Sequence, residues 1–387
     1  MNPASVAIVG GGVIGASVAY HLARRGWRDV VILDRGQRLG EGSTGRATGG
    51  FRAQYATAVN VRLSLLTRDK LRRFKAETGV DPGYFPAGYL WLASTDAELE
   101  TLRAGQTVQH AAGLTEAREV SSSDIAAINP ALSLDELIGG VFCPTDGFVK
   151  PLDMLEGYLA AARRLGVRVH WGVEVTGFAR RPDHSISAVS TSQGRIGVAA
   201  VVNAGGAWAA QVAAFAGVDL PVVPLRRQVA ATQPSDVLPP YMPMTIFAGD
   251  GFHLRVRDGR VLLLWPTPGA ADHPWDTEVE PAWIEAVTAK AHRRVPVLRD
   301  VPIDSKASWG GLYEVSPDKH AILGLASECP NLYLVNGSSG HGVMHAPALG
   351  QLLAEIMSDG AATTLDVRPL SPSRFKEGRL NPVSELL

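Results

Sequence analysis

Apolar residues near the start of the chain come in short unbroken runs. Val6-Ala7-Ile8-Val9 is followed by three glycines, a helical recurrence of apolar positions from Val13, and a second run from Val30 to Leu33. An unbroken apolar run of this length suits a strand buried on both faces, and recurrence every three to four residues suits a helix. The same succession returns twice. A helical pattern at Leu152–Leu165 passes Gly166 into a strand at Val167–Val169, and the block continues to Ala199–Asn203 and Ala204-Gly205-Gly206-Ala207-Trp208. The third block is Leu332–Val335, then Asn336-Gly337, Gly340-His341-Gly342 and a helix to about Met357. Short apolar strands that run into glycine and a helix are the pattern of parallel α/β layers.

The intervening segments read differently. Tyr84–Ser94 and Pro224–Thr232 are expected to be strands, and Phe252–Val256 with Val261–Trp265 a hairpin turning at Asp258-Gly259. The expected fold is α/β: a Rossmann-type dinucleotide domain interrupted twice by a mixed or antiparallel β-sheet substrate domain. The first is expected at 1–83, 150–220 and 318–365, the second at 84–149 and 221–317, with a C-terminal tail at 366–387. From Ala361, with Pro369 and Pro372, the chain reads as an extended cover strand or coil.

Composition narrows the function. At 387 residues the chain can bury a large core, and its net charge of -1 gives no bias toward nucleic acid or anionic membranes. No run of 18 apolar residues occurs, so no membrane span is expected, and the first strand begins too early for a signal peptide. Cys143 and Cys329 form no C-x-x-C pair, which suggests reduced thiols and a cytoplasmic setting. The histidines are not expected to form a metal site.

The opening block carries candidate chemistry. In Gly10-x-Gly12-x-x-Gly15, the first glycine permits the tight turn, the second lets backbone approach a pyrophosphate, and the third allows close helix–strand packing. The helix opening at Val13 and Ile14 points free N–H groups toward phosphates. Asp34, with Arg35 after it, stands at the tip of the next strand, 24 residues after Gly10, where its carboxylate can accept ribose hydroxyls. Strand, glycines, helix, strand and acid in this order predict a dinucleotide site.

With these motifs the chain resembles the FAD-dependent amine and amino-acid oxidoreductases of the D-amino-acid-oxidase type. Within them it is similar to sarcosine oxidases, the β subunits of heteromeric sarcosine oxidases and dye-linked proline dehydrogenases, and glycine oxidase. The resemblance rests on the fingerprint, Gly42-Ser43-Thr44-Gly45-Arg46, Asp146-Gly147, Val202-Asn203-Ala204-Gly205-Gly206-Ala207-Trp208, Ser316-Pro317-Asp318 leading to Ile322-Leu323-Gly324, and Asn336-Gly337-Ser338-Ser339-Gly340-His341-Gly342. It implies a glutathione-reductase-like flavoprotein fold, with FAD as the dinucleotide. It further implies cofactor contacts from Ser43, Thr44, Arg46, Ala47, Thr48, Val175, Ala204, Gly205 and Trp208. The last helix, opened by Gly340, His341, Gly342, Val343 and Met344, would turn its positive end toward reduced flavin.

For the reacting centre, the resemblance implies that Arg52 binds a substrate carboxylate and that Tyr313 and His253 face the substrate. The alternatives are a surface position or an ordinary ion pair with Asp or Glu for Arg52, a core position for Tyr313 and a structural role for His253; Arg46 suits either flavin or phosphate. Several family features are missing. Gly311 stands where monomeric sarcosine oxidases carry the flavin-tethering cysteine, and no histidine follows Asp146-Gly147 where β subunits attach FMN, so FAD is expected to be non-covalent. Met344 replaces a second carboxylate-binding lysine, and no lysine lies near Leu262–Leu264, where sarcosine oxidases place the one associated with oxygen.

The activity expected is oxidation of the C–N bond of a small amino acid or N-alkyl amino acid (sarcosine, glycine, proline or similar). Hydride would pass to flavin N5, and the resulting imine would hydrolyse. Alternatives are a flavoprotein subunit of a heteromeric dehydrogenase that needs partners, or a 2-hydroxy-acid oxidising member. A phosphate substrate would need clustered cations that the sequence does not reveal. Small-molecule amine substrates are the expected partners, with an oligomer or partner subunit also compatible.

Overall fold

The computed structural model describes residues 2–266 and 275–383. Residue 1, positions 267–274 of the expected inserted part and 384–387 of the expected tail lie outside the described residues. Two eight-stranded sheets carry the fold. The first runs in the order Ile322–Leu325, Leu332–Asn336, Gly194–Asn203, Ala4–Val9, Val30–Leu33, Arg168–His170. Its inner pairings are parallel, with Val6 opposite Val30 and Val9 opposite Asn203, and only Ile322–Leu325 runs antiparallel in this row. Strands covered on both faces have no use for polar positions. Val6, Ala7 and Ile8 are accordingly fully buried, as their unbroken apolar run anticipates. A hairpin of Val175–Arg180 and Ile186–Thr191 extends antiparallel from the long Gly194–Asn203 strand.

Helices Val13–Arg24, Ala58–Thr78, Pro151–Arg164 and Gly342–Asp359 pack together on one face of this sheet. The first and last approach closely because Gly350 has no side chain. A Cβ there would lie 2.1 Å from Ser17 Oγ.

The second sheet is mixed, ordered Trp309–Val315, Val223–Ala231, Arg260–Leu264, His253–Arg257, Met244–Phe247, Tyr89–Ala93, Gly139–Cys143, Arg118–Val120. The hairpin forms as expected, with Asp258 and Gly259 at φ 53° and 71°, the left-handed pair that such a turn requires. The strand expected at Tyr84–Ser94 begins only at Tyr89. Pro86 and Gly88 (φ 92°) interrupt it, and Phe85 makes an isolated bridge to Phe148. In the tail no cover strand forms among the described residues. Two 3-10 turns, Arg368–Leu370 and Pro372–Arg374, bring the fully buried Arg374 onto Asp318 at 2.8 and 2.9 Å. No described helix is long and apolar enough to cross a membrane.

Candidate active site

The carboxyl ends of three parallel strands stop along one edge of the first sheet, bringing Gly10, Asp34 and Ala204 together. Ligands in open α/β sheets bind at such an edge. A cavity of about 1000 Å³ starts there and continues to the inner face of the second sheet. Its glycines are there because side chains would not fit. At Gly10 (φ 108°) a Cβ would lie 2.2 Å from the Ala204 carbonyl oxygen, and at Gly15 one would lie 2.0 Å from the Gly10 carbonyl oxygen. Gly12 faces the cavity, and Thr44 Oγ1 accepts the Val13 N–H beside it (3.1 Å). Helix Val13–Arg24 has no cap from its own N-cap residue, Gly12, and no acidic residue in its first turn, so apart from the Val13 N–H taken by Thr44 its positive end is left to meet an anion. Helix Gly342–Asp359 likewise has no side-chain cap and no first-turn acid, and its opening residues also line the cavity.

Asp34 is already at work. Its carboxylate accepts the Gly11 N–H at 2.6 Å and the Gly36 N–H at 2.7 Å, which fixes both flanking loops and leaves further lone pairs toward the cavity. Arg35 lies over the Trp208 ring (3.8 Å), which stacks on Trp275 (5.3 Å). The glycine-rich segment from Gly42 to Gly50 is tied to the second sheet. Ser43 Oγ donates to the Leu312 carbonyl and Arg46 to that of Gly310, each at 2.7 Å. In return Arg257 and Arg255 donate to the carbonyls of Ala47 (3.1 Å) and Thr48 (2.7 Å). Ser43 and Arg46 are therefore engaged in positioning this segment.

Across the second sheet the register aligns Trp309, Val229, Leu264, His253, Ile246 and Trp91 in one row. All six line the cavity, since directly opposed residues share a face. Alternate residues on several of these strands join them, including Tyr313, Gly311, Arg227 and Tyr89. Arg52 enters opposite this face. It donates to the Gln54 carbonyl (3.2 Å) and faces His341 Nε2 (3.4 Å), and lies over the rings of Tyr55 (4.4 Å) and Trp91 (5.1 Å). No carboxylate pairs with it among the described residues, so the ordinary ion-pair alternative does not apply. Behind it the fully buried Asp146 accepts the N–H groups of Ala53 (2.8 Å) and Gln54 (3.4 Å). Burial pushes that carboxyl up to about 7, against the pull of the two N–H donors.

His253 Nδ1 donates to the Gly251 carbonyl (2.8 Å), leaving Nε2 as an acceptor, and burial lowers its pKa to about 4. The ring is neutral near pH 7. Desolvation within the cavity likewise raises the Tyr313 phenol, although its ring stays partly exposed. Met344 lines the cavity while its sulfur takes the Tyr55 hydroxyl at 2.8 Å. His341 and His345 stand four residues apart, a spacing that can hold a metal. Here His345 Nε2 bonds Ser64 Oγ (2.9 Å), and no group of three or more metal-binding side chains forms among the described residues.

All the candidate cofactor and substrate residues predicted from the sequence, from Gly10 to Met344 and including Val175, Gly205 and Val343, line this one cavity. Others were missed. Trp171 packs over Gly11, Tyr89 and Trp91 wall the inner end, and Arg227 enters from the Val223–Ala231 strand. Arg227, like Arg46 and Arg52, lines the cavity, on a strand four positions from the Tyr89–Ala93 strand that Arg52 faces. Alternation within Pro224–Thr232 does put Arg227 on the face of Val229, but which face meets the cavity is a tertiary fact. Glu314 was also missed; burial raises its carboxyl to about 7. Trp91 Nε1, Ser338 Oγ and Glu314 Oε2 are buried at the cavity without partners among the described residues. A cavity with tight glycine turns, two uncapped helix ends and unpaired polar atoms fits a large polar dinucleotide.

Comparison with known proteins agrees. Residues 5–356 match the family described as FAD dependent oxidoreductase (DAO). Glycine oxidase of Geobacillus kaustophilus is 29% identical over 378 residues, covering 95% of this chain and 96% of that protein. Mitochondrial dimethylglycine dehydrogenase of Rattus norvegicus is 30% identical over 397 residues, covering 96% of this chain and 45% of that protein. The chain thus spans less than half the length of such dehydrogenases. The crystal structure of L-proline dehydrogenase from P. horikoshii superposes with a TM-score of 0.90 at 28% identity, over 98% of this chain and 100% of that one. By fold, by cavity and by match along most of its length, this chain belongs to the DAO family of FAD-dependent oxidoreductases.

Proposed function

We propose that this chain holds FAD non-covalently and oxidises the C–N bond of a small amino acid or N-alkyl amino acid. The observation that carries the reading is Arg52: a guanidinium free of carboxylates, set against aromatic walls in the cavity that the dinucleotide cradle opens into. Relatives named for glycine oxidation and for dimethylglycine and proline dehydrogenation share a reacting carbon–nitrogen bond. In this reading residues 1–83, 150–220 and 318–365 serve the cofactor, and 84–149 with 221–317 serve the substrate. Gly10, Gly12, Gly15 and the helix N-terminus at Val13 would hold the pyrophosphate, Asp34 the ribose, and Gly340 to Met344 the flavin end.

FAD supplies a two-electron acceptor for hydride from the carbon bearing nitrogen, and the imine product hydrolyses. The chain's residues supply orientation. Arg52 binds the carboxylate bidentately, a geometry that its planar fork favours. Trp91, Tyr55 and Tyr89 exclude water around it, and His253 Nε2 is available to accept a hydrogen bond from the amine. With the amine bound in its neutral form no strong side-chain base is needed, and orientation of the reacting carbon becomes the main contribution. Cys143 and Cys329 are both free, buried and away from the cavity lining, which supports non-covalent FAD and a cytoplasmic setting. Leu264 occupies the cavity wall and no lysine lines it among the described residues, which favours a dehydrogenase over an oxidase.

The test is anaerobic bleaching of flavin absorbance by a panel of amino acids, N-methyl amino acids and 2-hydroxy acids. Bleaching by amines alone is expected. Bleaching by hydroxy acids alone would overturn the assignment. Turnover with oxygen, with dyes, or only after adding partner subunits then identifies the acceptor.

A further inference from the structure

Neighbouring arginines on the Val223–Ala231 strand are treated in opposite ways. Arg226 points away from the cavity and is neutralised, bonding to Asp276 (3.4 Å) and to Glu280. Arg227 points into the cavity and has no ion pair among the described residues; the hydrogen bond it makes there is to the Arg226 carbonyl at 3.4 Å. Its guanidinium lies 5.9 Å from the Tyr313 ring centroid. Arg52, across the cavity, is equally without a carboxylate, because Asp146 behind it is committed to the Ala53 and Gln54 amides. Holding two partly desolvated cations in one cavity without counter-ions costs free energy, and bound anions would offset it.

We infer that Arg227 is a specificity residue for a second carboxylate, so that the site favours amino acids bearing two carboxylates, the second on the side chain or on the nitrogen substituent. The inference rests on the reading above, in which Arg52 takes the first carboxylate. The sheet keeps the two cations from crowding onto a single anion. Arg52 sits over Trp91 on the Tyr89–Ala93 strand, four strand positions from the strand of Arg227, about 19 Å at the usual interstrand spacing. Both reach inward, and both act on Tyr313 and on His253, whose strand lies between those of Arg227 and Trp91. A ligand held between the two inward-reaching guanidinium groups, a shorter gap than the strand separation, would have an anion at each end and its nitrogen and reacting carbon between them. A monocarboxylate would leave Arg227 without a partner.

Calorimetric titration of the holoenzyme with succinate and with butyrate tests this without turnover, since the two differ in one terminal carboxylate. Succinate is expected to bind at least tenfold more tightly. Arg227→Met should reduce that preference to less than threefold, by weakening succinate much more than butyrate. Arg227→Lys should retain part of it, having the charge without the fork. Equal affinities in the parent would overturn the proposal whatever the variants do, as would equal losses for both ligands in Arg227→Met. Anaerobic bleaching by glutamate and aspartate, against N-carboxymethyl amino acids, then locates the second carboxylate. If the succinate preference holds and no amine bleaches the flavin, the C–N assignment fails while dicarboxylate recognition stands. If only monocarboxylate amines bleach it and the preference is absent, the reverse is true.

Discussion

Replacing Arg52 by methionine isolates the carboxylate anchor from the rest of the site. Methionine keeps an unbranched stem to pack against Tyr55 and Trp91, whose rings lie 4.4 and 5.1 Å from the guanidinium carbon. The charge and the two donors held at 3.2 and 3.4 Å disappear. Truncating one partner of a buried, hydrogen-bonded charge pair costs about 2–5 kcal/mol. Arg52 is half-exposed toward the cavity, which places the expectation near the lower end. About 2 kcal/mol corresponds to roughly a 30-fold rise in the Kd of a simple carboxylate such as butyrate. Arg52→Lys should recover part of the loss, because an ammonium keeps the charge without the bidentate geometry. Calorimetry on flavin-loaded protein measures the Kd, and the flavin-to-protein ratio reports any disturbance of the cofactor cradle. Affinity within threefold of the parent in Arg52→Met would refute Arg52 as the anchor and remove the main support for an amino-acid substrate.

Asp34→Asn should weaken FAD retention in equilibrium dialysis by about 1.5–3 kcal/mol, since an amide cannot accept the Gly11 and Gly36 N–H groups and a ribose hydroxyl together; undiminished retention would exclude Asp34 as the ribose ligand. Arg374→Met strands the buried Asp318 carboxylate and should cost about 3–5 kcal/mol in urea unfolding. Arg374 and Asn381 hold Asp318 well below the usual carboxylate range despite its burial, so its contribution is present above the unfolded pKa and is lost as pH falls through the folded one; the variant should lose that part of its acid sensitivity. Glu314 has the opposite sign: burial raises it to about 7, so the stability linked to it is full below about 4.5 and lost as pH rises through about 7. Glu314→Gln should therefore reduce the fall in unfolding free energy between pH 5 and pH 8, with Asp146 still contributing in the same direction, and an unchanged slope would show that Glu314 is not buried as a neutral acid. Acid precipitation should release all flavin into the supernatant as FAD; colour left in the pellet would reveal a covalent tether.

The sequence by itself determined whatever depends on a few consecutive residues. Val6–Val9 and Val30–Leu33 announce buried parallel strands because no polar position interrupts them, and Gly10 and Gly15 announce a cradle because a side chain at either would meet backbone oxygen about 2 Å away. The Asp258-Gly259 turn and the uncapped helix at Val13 are equally local in origin. Tertiary structure decided which separate segments share a surface. Pro86 and Gly88 delay the Tyr89–Ala93 strand locally, but that Phe85 before them bridges to Phe148, 63 residues away, is tertiary, as is the buried tail's ion pair between Arg374 and Asp318, 56 residues apart. Arg226 and Arg227 are the same residue type at adjacent positions, and only packing assigns one to a carboxylate cluster and the other to the cavity. Asp146, Trp91 and Glu314 gain their roles from what surrounds them. Desolvation and the absence of a counter-charge are properties of an assembled neighbourhood, and a linear pattern does not encode them at any single position.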